Sequence, residues 1–195
     1  YNTDIIPIDE DTPDDPKTPY DLNKLFAEDY LKLYNQSHEV QFVIFRFGTV
    51  YGYRQRVSEG WKPVIMEFID KLTDNEHPTI YWDGHQTRDF IEVSDIVEAL
   101  LKIRNNDNAL GETILLGTGV ETSINQVFNI VSKKLNKNIE PIRAPKTMGD
   151  IRRMCYDCSK ALRILNWKPQ VSVEEGIEKI IRMLNSYEEN RRMEK

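Results

Sequence analysis

Residues 40–50, VQFVIFRFGTV, form a nearly continuous run of apolar and β-branched side chains. A run of this kind fits a strand buried on both faces, since a half-exposed strand would alternate apolar with polar residues. Shorter extended segments follow at 79–82, 90–93 and 113–116. Helical patterns lie between them, over 64–72 and over 96–103, the latter with Ile96, Leu100, Leu101 and Ile103 expected inward. Ser123 with Gln126, and Ser172 with Glu175, have the spacing of capping boxes. The second of these opens a helix whose Val173, Ile177, Ile180, Ile181 and Leu184 share one stripe. No internal repeat is visible. Helices alternating with short strands define an α/β class.

A net charge of −6 and a pI near 5.2 argue against a nucleic-acid or anionic-membrane surface, which needs a basic footprint. No apolar run approaches the roughly 20 residues of a membrane span, and no charged-then-apolar leader opens the sequence, so the expected location is cytoplasmic. Cys155 and Cys158 make a lone Cys-x-x-Cys with no second pair and no nearby histidine. Two reduced thiols are expected there, and no metal site.

Residues 7–19, PIDEDTPDDPKTP, carry four prolines and five acids, a composition unsuited to continuing a helix or packing a core. Residues 1–19 show no period of their own, so Tyr1 is expected to be a cut end. A helix follows over about 20–35. Its apolar positions, Leu22, Leu25, Ala27, Leu31 and Leu33, fall on more than one face, which predicts burial on several sides.

Tyr20 and Lys24 open that helix four residues apart, so both side chains project from one face. A free phenol titrates near about 10 and is a poor base at neutral pH. A neighbouring ammonium favours its ionised form, which can then take a proton from a hydroxyl. The same spacing also suits an ordinary solvated helix face.

Other motifs carry two readings each. Gly117-x-Gly119 sits between a strand and a helix but lacks a third glycine and a following acidic residue, so a tight turn is expected rather than a dinucleotide loop. Arg88, within Asp83-Gly84-His85-Gln86-Thr87-Arg88-Asp89, has the fork geometry for phosphate oxygens; the structural alternative is an ion pair with Asp89 or Asp95. His85 is expected to be exposed. Arg46 lies inside the apolar run and needs a partner if it points inward. Arg54 and Arg56 suit a solvated loop, and Asp150, Arg152 and Arg153 form a polar knot that by itself suits the surface.

Taken in order, these pieces resemble the extended short-chain dehydrogenase/reductase family, the NAD-dependent epimerases and dehydratases of nucleotide sugars. Tyr20-x-x-x-Lys24 after Pro-x-x-Pro-x-x-Pro resembles its active-site helix and approach loop. Arg46-Phe47-Gly48-Thr49-Val50-Tyr51-Gly52-Tyr53-Arg54-Gln55 is similar to its Arg-aromatic-x-Asn-x-Tyr-Gly-Pro-Arg-Gln segment. Residues 80–95, with Asp83-Gly84-x-Gln86-Thr87-Arg88-Asp89-Phe90, match its Gly-Asp-Gly-x-Gln-Thr-Arg-Asp-Phe block. Gly117-Thr118-Gly119, Gly149-Asp150 with Arg152-Arg153, and Asp157-x-Ser159-Lys160-Ala161 through Asn166-Trp167-x-Pro169 continue the series. Three positions depart from the pattern: Thr49 replaces an asparagine, Trp82 a glycine, and Thr147 an arginine, with Lys146 adjacent.

The resemblance implies Tyr20 as catalytic base and Lys24 as its helper, which also holds the nicotinamide ribose of NAD. It places the backbone of Phe47 and Gly48 against the nicotinamide, and Thr49, Tyr81, Arg88 and Asp150 on the nucleotide sugar, with Arg88 at the diphosphate and Asp150 at the ribose. It implies no metal. Residues 1–62 would be a remnant of the NAD-binding Rossmann domain, and 63–186 mainly the substrate-binding domain, with 113–117 a strand returning to the Rossmann sheet and 187–195 a frayed tail. NAD would be held mainly by an N-terminal half that is not in this sequence. The implied activity is that of a UDP-sugar 4-epimerase working through a transient 4-keto sugar in a homodimer, the isolated portion being inactive. The alternatives are a nucleotide-sugar 4,6-dehydratase, or a non-catalytic sugar-nucleotide binding module.

Overall fold

Gly48 divides the long apolar run, and the fold is organised around that division. The computed structural model describes residues 4–55, 63–147 and 150–193; Tyr1, Arg56 and Gly149, named above, lie outside the described residues. The chain opens with α1 (Pro19–His38), then β1 (Ile44–Phe47), β2 (Thr49–Tyr51), α2 (Val64–Thr73), β3 (Thr79–Tyr81) and β4 (Thr87–Glu92). It continues with α3 (Val93–Lys102), a 3-10 turn at Asp107–Ala109, β5 (Thr113–Leu116), β6 (Glu121–Ser123) and α4 (Ile124–Lys134). β7 (Ile142–Ala144), α5 (Ser159–Leu165) and α6 (Val173–Met193) complete an α/β architecture.

The single strand expected over 40–50 is instead two strands with different partners. β1 runs parallel to β5, pairing Ile44 with Thr113 and Phe47 with Leu116. β2 runs parallel to β4, pairing Thr49 with Phe90. The switch falls at Gly48 for a steric reason: a Cβ there would stand 2.7 Å from the Asp89 carbonyl oxygen. The Gly48 N–H still donates to the Leu116 carbonyl at 2.8 Å, which holds the crossing point against β5. β4 also pairs antiparallel with β6, and β3 pairs parallel with β7.

Each strand group has its own core. Around β1 and β5, Phe45, Ile114 and Leu116 pack with Ile96 and Ala99 of α3 and with Ala161, Leu165 and Trp167. The Trp167 indole is fully buried and donates to the Asp95 carbonyl at 3.0 Å. Around β2 and β4, Tyr51 and Phe90 meet Phe68, Ile69 and Leu72 of α2, Val127 and Val131 of α4, and Ile177 and Ile180 of α6. Burying each such side chain contributes about 1.5–3 kcal/mol, so these two clusters dominate the stability of the described chain. Both capping boxes form: Gln126 N–H donates to Ser123 Oγ, and Glu175 N–H to Ser172 Oγ.

Four expectations need correction. Leu100 and Leu101 face outward, because α3 turns Ile96 and Ala99 to the sheet and Leu100 and Leu101 fall beyond that stripe. Residues 7–19 do contribute to a core. Ile8 is buried against Leu115 and Tyr156, with its N–H on the Cys155 carbonyl at 2.8 Å, and the half-buried Glu10 carboxylate accepts from Leu115 N–H at 2.8 Å. α6 runs to Met193 rather than fraying after Ser186, as residues 188–193 are mostly Glu and Arg, which favour helix.

The fourth correction concerns α1, expected to be buried on several sides. It buries no residue fully, and Phe26, Tyr30, Leu33 and Tyr34 are exposed. Its hold on the sheet is polar. Arg46 of β1 forks onto Glu28 of α1, Nε to Oε1 at 2.7 Å and Nη2 to Oε2 at 2.6 Å, and Nη1 reaches Asp14 at 2.9 Å. With side chains only 17% and 12% exposed, the Arg46–Glu28 pair is shielded enough to count.

Replacing Arg46 with Met should therefore loosen α1 selectively. Charge-assisted hydrogen bonds are worth about 1.5–3 kcal/mol each, so amide exchange over residues 19–38 should quicken by at least about tenfold. Exchange in α4 and α6 should stay unchanged. Equal acceleration throughout would remove the clamp role from Arg46.

Candidate active site

The start of α1 is fixed by three residues around Tyr20. Thr18 Oγ1 accepts from Asp21 N–H, the Asp21 carboxylate accepts from Thr18 N–H, and Pro19 takes the first helical position, where no N–H is needed. Tyr20, Lys24 and Glu28 then stand one turn apart on one face. Glu28 is held by Arg46, which turns this face toward the end of β1. The Lys24 ammonium lies 5.3 Å from the centroid of the Tyr20 ring, and Tyr20 is 69% exposed. Both line an open cavity of about 990 Å³ together with Phe47, Gly48 and Thr49. Five of the eight site residues expected from the sequence are thus gathered at one place.

The other three do not line that cavity. Arg88 Nη2 pairs with Asp150 Oδ1 at 2.6 Å, and Nη1 donates to the carbonyls of Ile151 at 2.7 Å and Thr87 at 2.8 Å. The structural alternative of an Arg88 pair with Asp89 or Asp95 is corrected by this contact. Asp95 is occupied elsewhere, accepting from Gln170 N–H and Val171 N–H near the start of α6. Tyr81 ends β3 with an exposed ring, and its carbonyl accepts from Gln86 Nε2 at 2.9 Å. Ile151 joins the two groups: its carbonyl holds Arg88 while the residue lines the cavity.

Asp89 occupies the middle. Its fully buried carboxylate accepts from Thr118 N–H and Oγ1, both at 2.7 Å, from Gly119 N–H at 3.0 Å, and from Tyr156 N–H at 3.1 Å. Thr118 and Gly119 therefore spend their amides on an internal carboxylate, while Gly117 N–H donates to Cys158 Sγ at 3.1 Å, in keeping with a tight turn and not with a dinucleotide loop. A Cβ at Gly117 would lie 2.7 Å from that carboxylate, so only glycine fits the approach. Nearby, burial pushes the Cys158 thiol up to about 12, and Cys155 is raised by the same cause. Neither is a thiolate nucleophile at neutral pH.

Trp82, the residue that departs from the resemblance's glycine, has φ +59°, in the left-handed region. Holding a bulky side chain there costs roughly 1–2 kcal/mol. Two cations are gathered on its ring: Lys146 Nζ at 4.1 Å from the centroid and Arg152 Cζ at 4.6 Å. Arg152 Nη1 also donates to both Asp83 carboxylate oxygens, at 2.8 and 2.9 Å, and this hydrogen bonding holds the Asp83 carboxyl below the usual carboxylate range. Arg153 pairs with Glu121, so the expected surface knot is a set of specific pairs. Gln55, Met154 and Tyr156 also line the cavity, and none was singled out for it from the sequence. Glu28 carried a signal: it continues the four-residue spacing of Tyr20 and Lys24. Tyr156 carried none, because the long-range pairing of Ile8 with Tyr156 places it.

Residues 2–180 match the family model for GDP-mannose 4,6 dehydratase. A putative UDP-glucose 4-epimerase of Methanocaldococcus jannaschii is 38% identical over 181 residues, which cover 93% of this chain and 58% of that protein. The solved UDP-glucose 4-epimerase of Thermotoga maritima, with UDP-glucose, superposes with a TM-score of 0.86 at 30% identity, covering 92% of this chain and 58% of that one. UDP-glucuronic acid 4-epimerase of Bacillus cereus, solved with UDP-glucuronic acid and NAD, gives 0.83 at 29% identity, covering 91% and 56%. The chain thus spans a little over half the length of these relatives.

Asp89→Asn should test the central knot. The amide turns two donor hydrogens toward N–H groups that need acceptors, at a cost of roughly 3 kcal/mol. For a chain of this size the melting temperature should fall by roughly 6–10 °C, measured by calorimetry. A fall of under about 2 °C would show that the turn holds without the carboxylate.

Proposed function

The chain belongs to the GDP-mannose 4,6 dehydratase family of extended short-chain dehydrogenase/reductases, and from that premise we propose that it carries the catalytic base and the nucleotide-sugar site of a cytoplasmic, NAD-dependent UDP-sugar 4-epimerase. The observation that carries this reading is the placement of Tyr20 and Lys24 beside Phe47, Gly48 and Thr49 at one open cavity.

In this reading the Tyr20 phenol oxygen takes the proton of the sugar 4-hydroxyl and later returns it, with the Lys24 ammonium beside the ring as the balancing cation. The Thr49 hydroxyl orients the sugar. Arg88 meets the diphosphate and Asp150 accepts from the ribose hydroxyls, a pairing that their ion pair prepares by holding both groups in place before ligand arrives. NAD, when bound, supplies the hydride acceptor and donor. Its nicotinamide end fits the cavity wall at Tyr20, Lys24, Phe47 and Gly48. The Gly117–Gly119 turn does not offer its pyrophosphate a cradle, since the amides of Thr118 and Gly119 already hold Asp89. The exposed apolar face of α1, with Phe26, Tyr30 and Tyr34, supports a homodimer formed through this helix.

A second reading, a 4,6-dehydratase, is favoured by the description of the matching family model. The product separates the two: an epimerase returns a sugar with its 6-hydroxyl intact, a dehydratase a 4-keto-6-deoxy sugar.

Tyr20→Phe in the full-length protein should lower kcat by roughly 10²–10⁴-fold, the range of general acid–base contributions. Calorimetric affinity for the UDP-sugar should change by less than about threefold, as the ring stays in place. Retained turnover would remove Tyr20 as the base.

A further inference from the structure

The described residues that line the cavity include four carboxylates, Asp14, Asp15, Asp21 and Glu28, and three cations, Lys17, Lys24 and Arg46. Each carboxylate is claimed by something other than Lys24. Asp15 pairs with Lys17 at 2.7 Å, and Asp21 accepts from the N–H groups of Lys17 and Thr18 at 3.1 and 2.9 Å. Arg46 takes the other two, Asp14 through Nη1 and Glu28 through Nε and Nη2. Besides Tyr20, the phenols of the cavity are Tyr51 and Tyr156. Burial pushes both up, so they stay neutral, and their hydroxyls donate to the carbonyls of Ser172 and Phe47.

Lys24 is the exception. It makes no ion pair among the described residues, and its ammonium lies over the Tyr20 ring. The helix by itself would favour another arrangement, because Glu28 stands four residues from Lys24 on the same face of α1, the spacing at which lysine and glutamate pair. Two charge-assisted hydrogen bonds in a largely shielded place outweigh one exposed helix pair, so Glu28 turns to β1 instead. An ammonium without a carboxylate keeps its field for the phenol beside it. Neutralised by Glu28, it would favour the ionised phenol far less.

We propose that Arg46 is a positioning residue for the base: by holding Glu28 on β1 it keeps Lys24 unneutralised beside Tyr20. The inference rests on the assignment of Tyr20 and Lys24 in the function above, and adds to it the residue that protects their charge balance. Arg46 thus does two separable things, anchoring α1 and keeping a carboxylate away from the ammonium.

The test is ultraviolet difference titration of tyrosinate in the full-length protein, each variant measured against the same variant carrying Tyr20→Phe, alongside the pH profile of kcat/KM. Arg46→Met should move the titration midpoint of Tyr20, and the rising limb of the profile, up by about one pH unit, the scale on which a nearby charge acts. Glu28→Gln should not raise it. Combining Arg46→Met with Glu28→Gln should recover at least about half of the rise although the clamp on α1 is gone, which separates charge from loosening of the helix. In a Lys24→Gln background, Arg46→Met should shift the midpoint less than about half as far, because no ammonium is left to neutralise. An unmoved midpoint in Arg46→Met would overturn the proposal, as would a full rise kept in the combined variant or in the Lys24→Gln background. If Lys24→Gln by itself raises the midpoint and Arg46→Met does not, this inference falls alone. If Lys24→Gln by itself leaves the midpoint unmoved, the pairing of Tyr20 with Lys24 falls with it.

Discussion

The carboxylate of Asp89 is the point on which the rest of the structure depends. Burying an ionised carboxylate is unfavourable by several kcal/mol unless hydrogen bonds replace its water. Here the turn after β5 and the segment before α5 supply those bonds, through Thr118, Gly119 and Tyr156. Satisfying one charge on β4 thus draws together the end of β5, the wall of the cavity and the chain leading away from Asp150. The neighbouring residue on the same strand, Arg88, turns to that chain as well. Two adjacent residues of β4 therefore set the distance between the cavity and the Arg88–Asp150 pair.

Much of the architecture was legible in the sequence because it rests on local rules. The capping boxes at Ser123 and Ser172 and the stripe of α6 need only short spacings, and each formed where those spacings put it. The apolar run over 40–50 is extended as strand only from Ile44, is not partnered as one strand, and buries Ile44 alone rather than both faces. Its division depends on how closely Asp89 approaches Gly48, a contact between residues 41 apart that no local pattern encodes. The buried place of Ile8 was hidden for the same reason, since one isoleucine among prolines and acids gives no period.

The candidate site divides along the same line. Tyr20 and Lys24 were visible as a helical pair, and colinear motifs located Arg88 and Asp150. Their arrangement as an ion pair was not visible, because the tempting partners Asp89 and Asp95 were nearer in sequence and are committed to backbone amides. Charge alone does not choose among carboxylates; the backbone groups that claim two of them leave Asp150 as the partner.

Gly48 has a mechanical meaning beyond its role as a break. β1 and β2 belong to different sheets yet are joined by this residue alone, where a flexible joint between two lobes would be expected. The joint is jammed: its N–H is bound to Leu116, and its open side is filled by the Asp89 backbone. Torsion at this point is suppressed, so the two cores behave as one stiff body. The cavity wall formed by α1, which buries no residue fully, is tied to that body through Arg46 and its carboxylate partners.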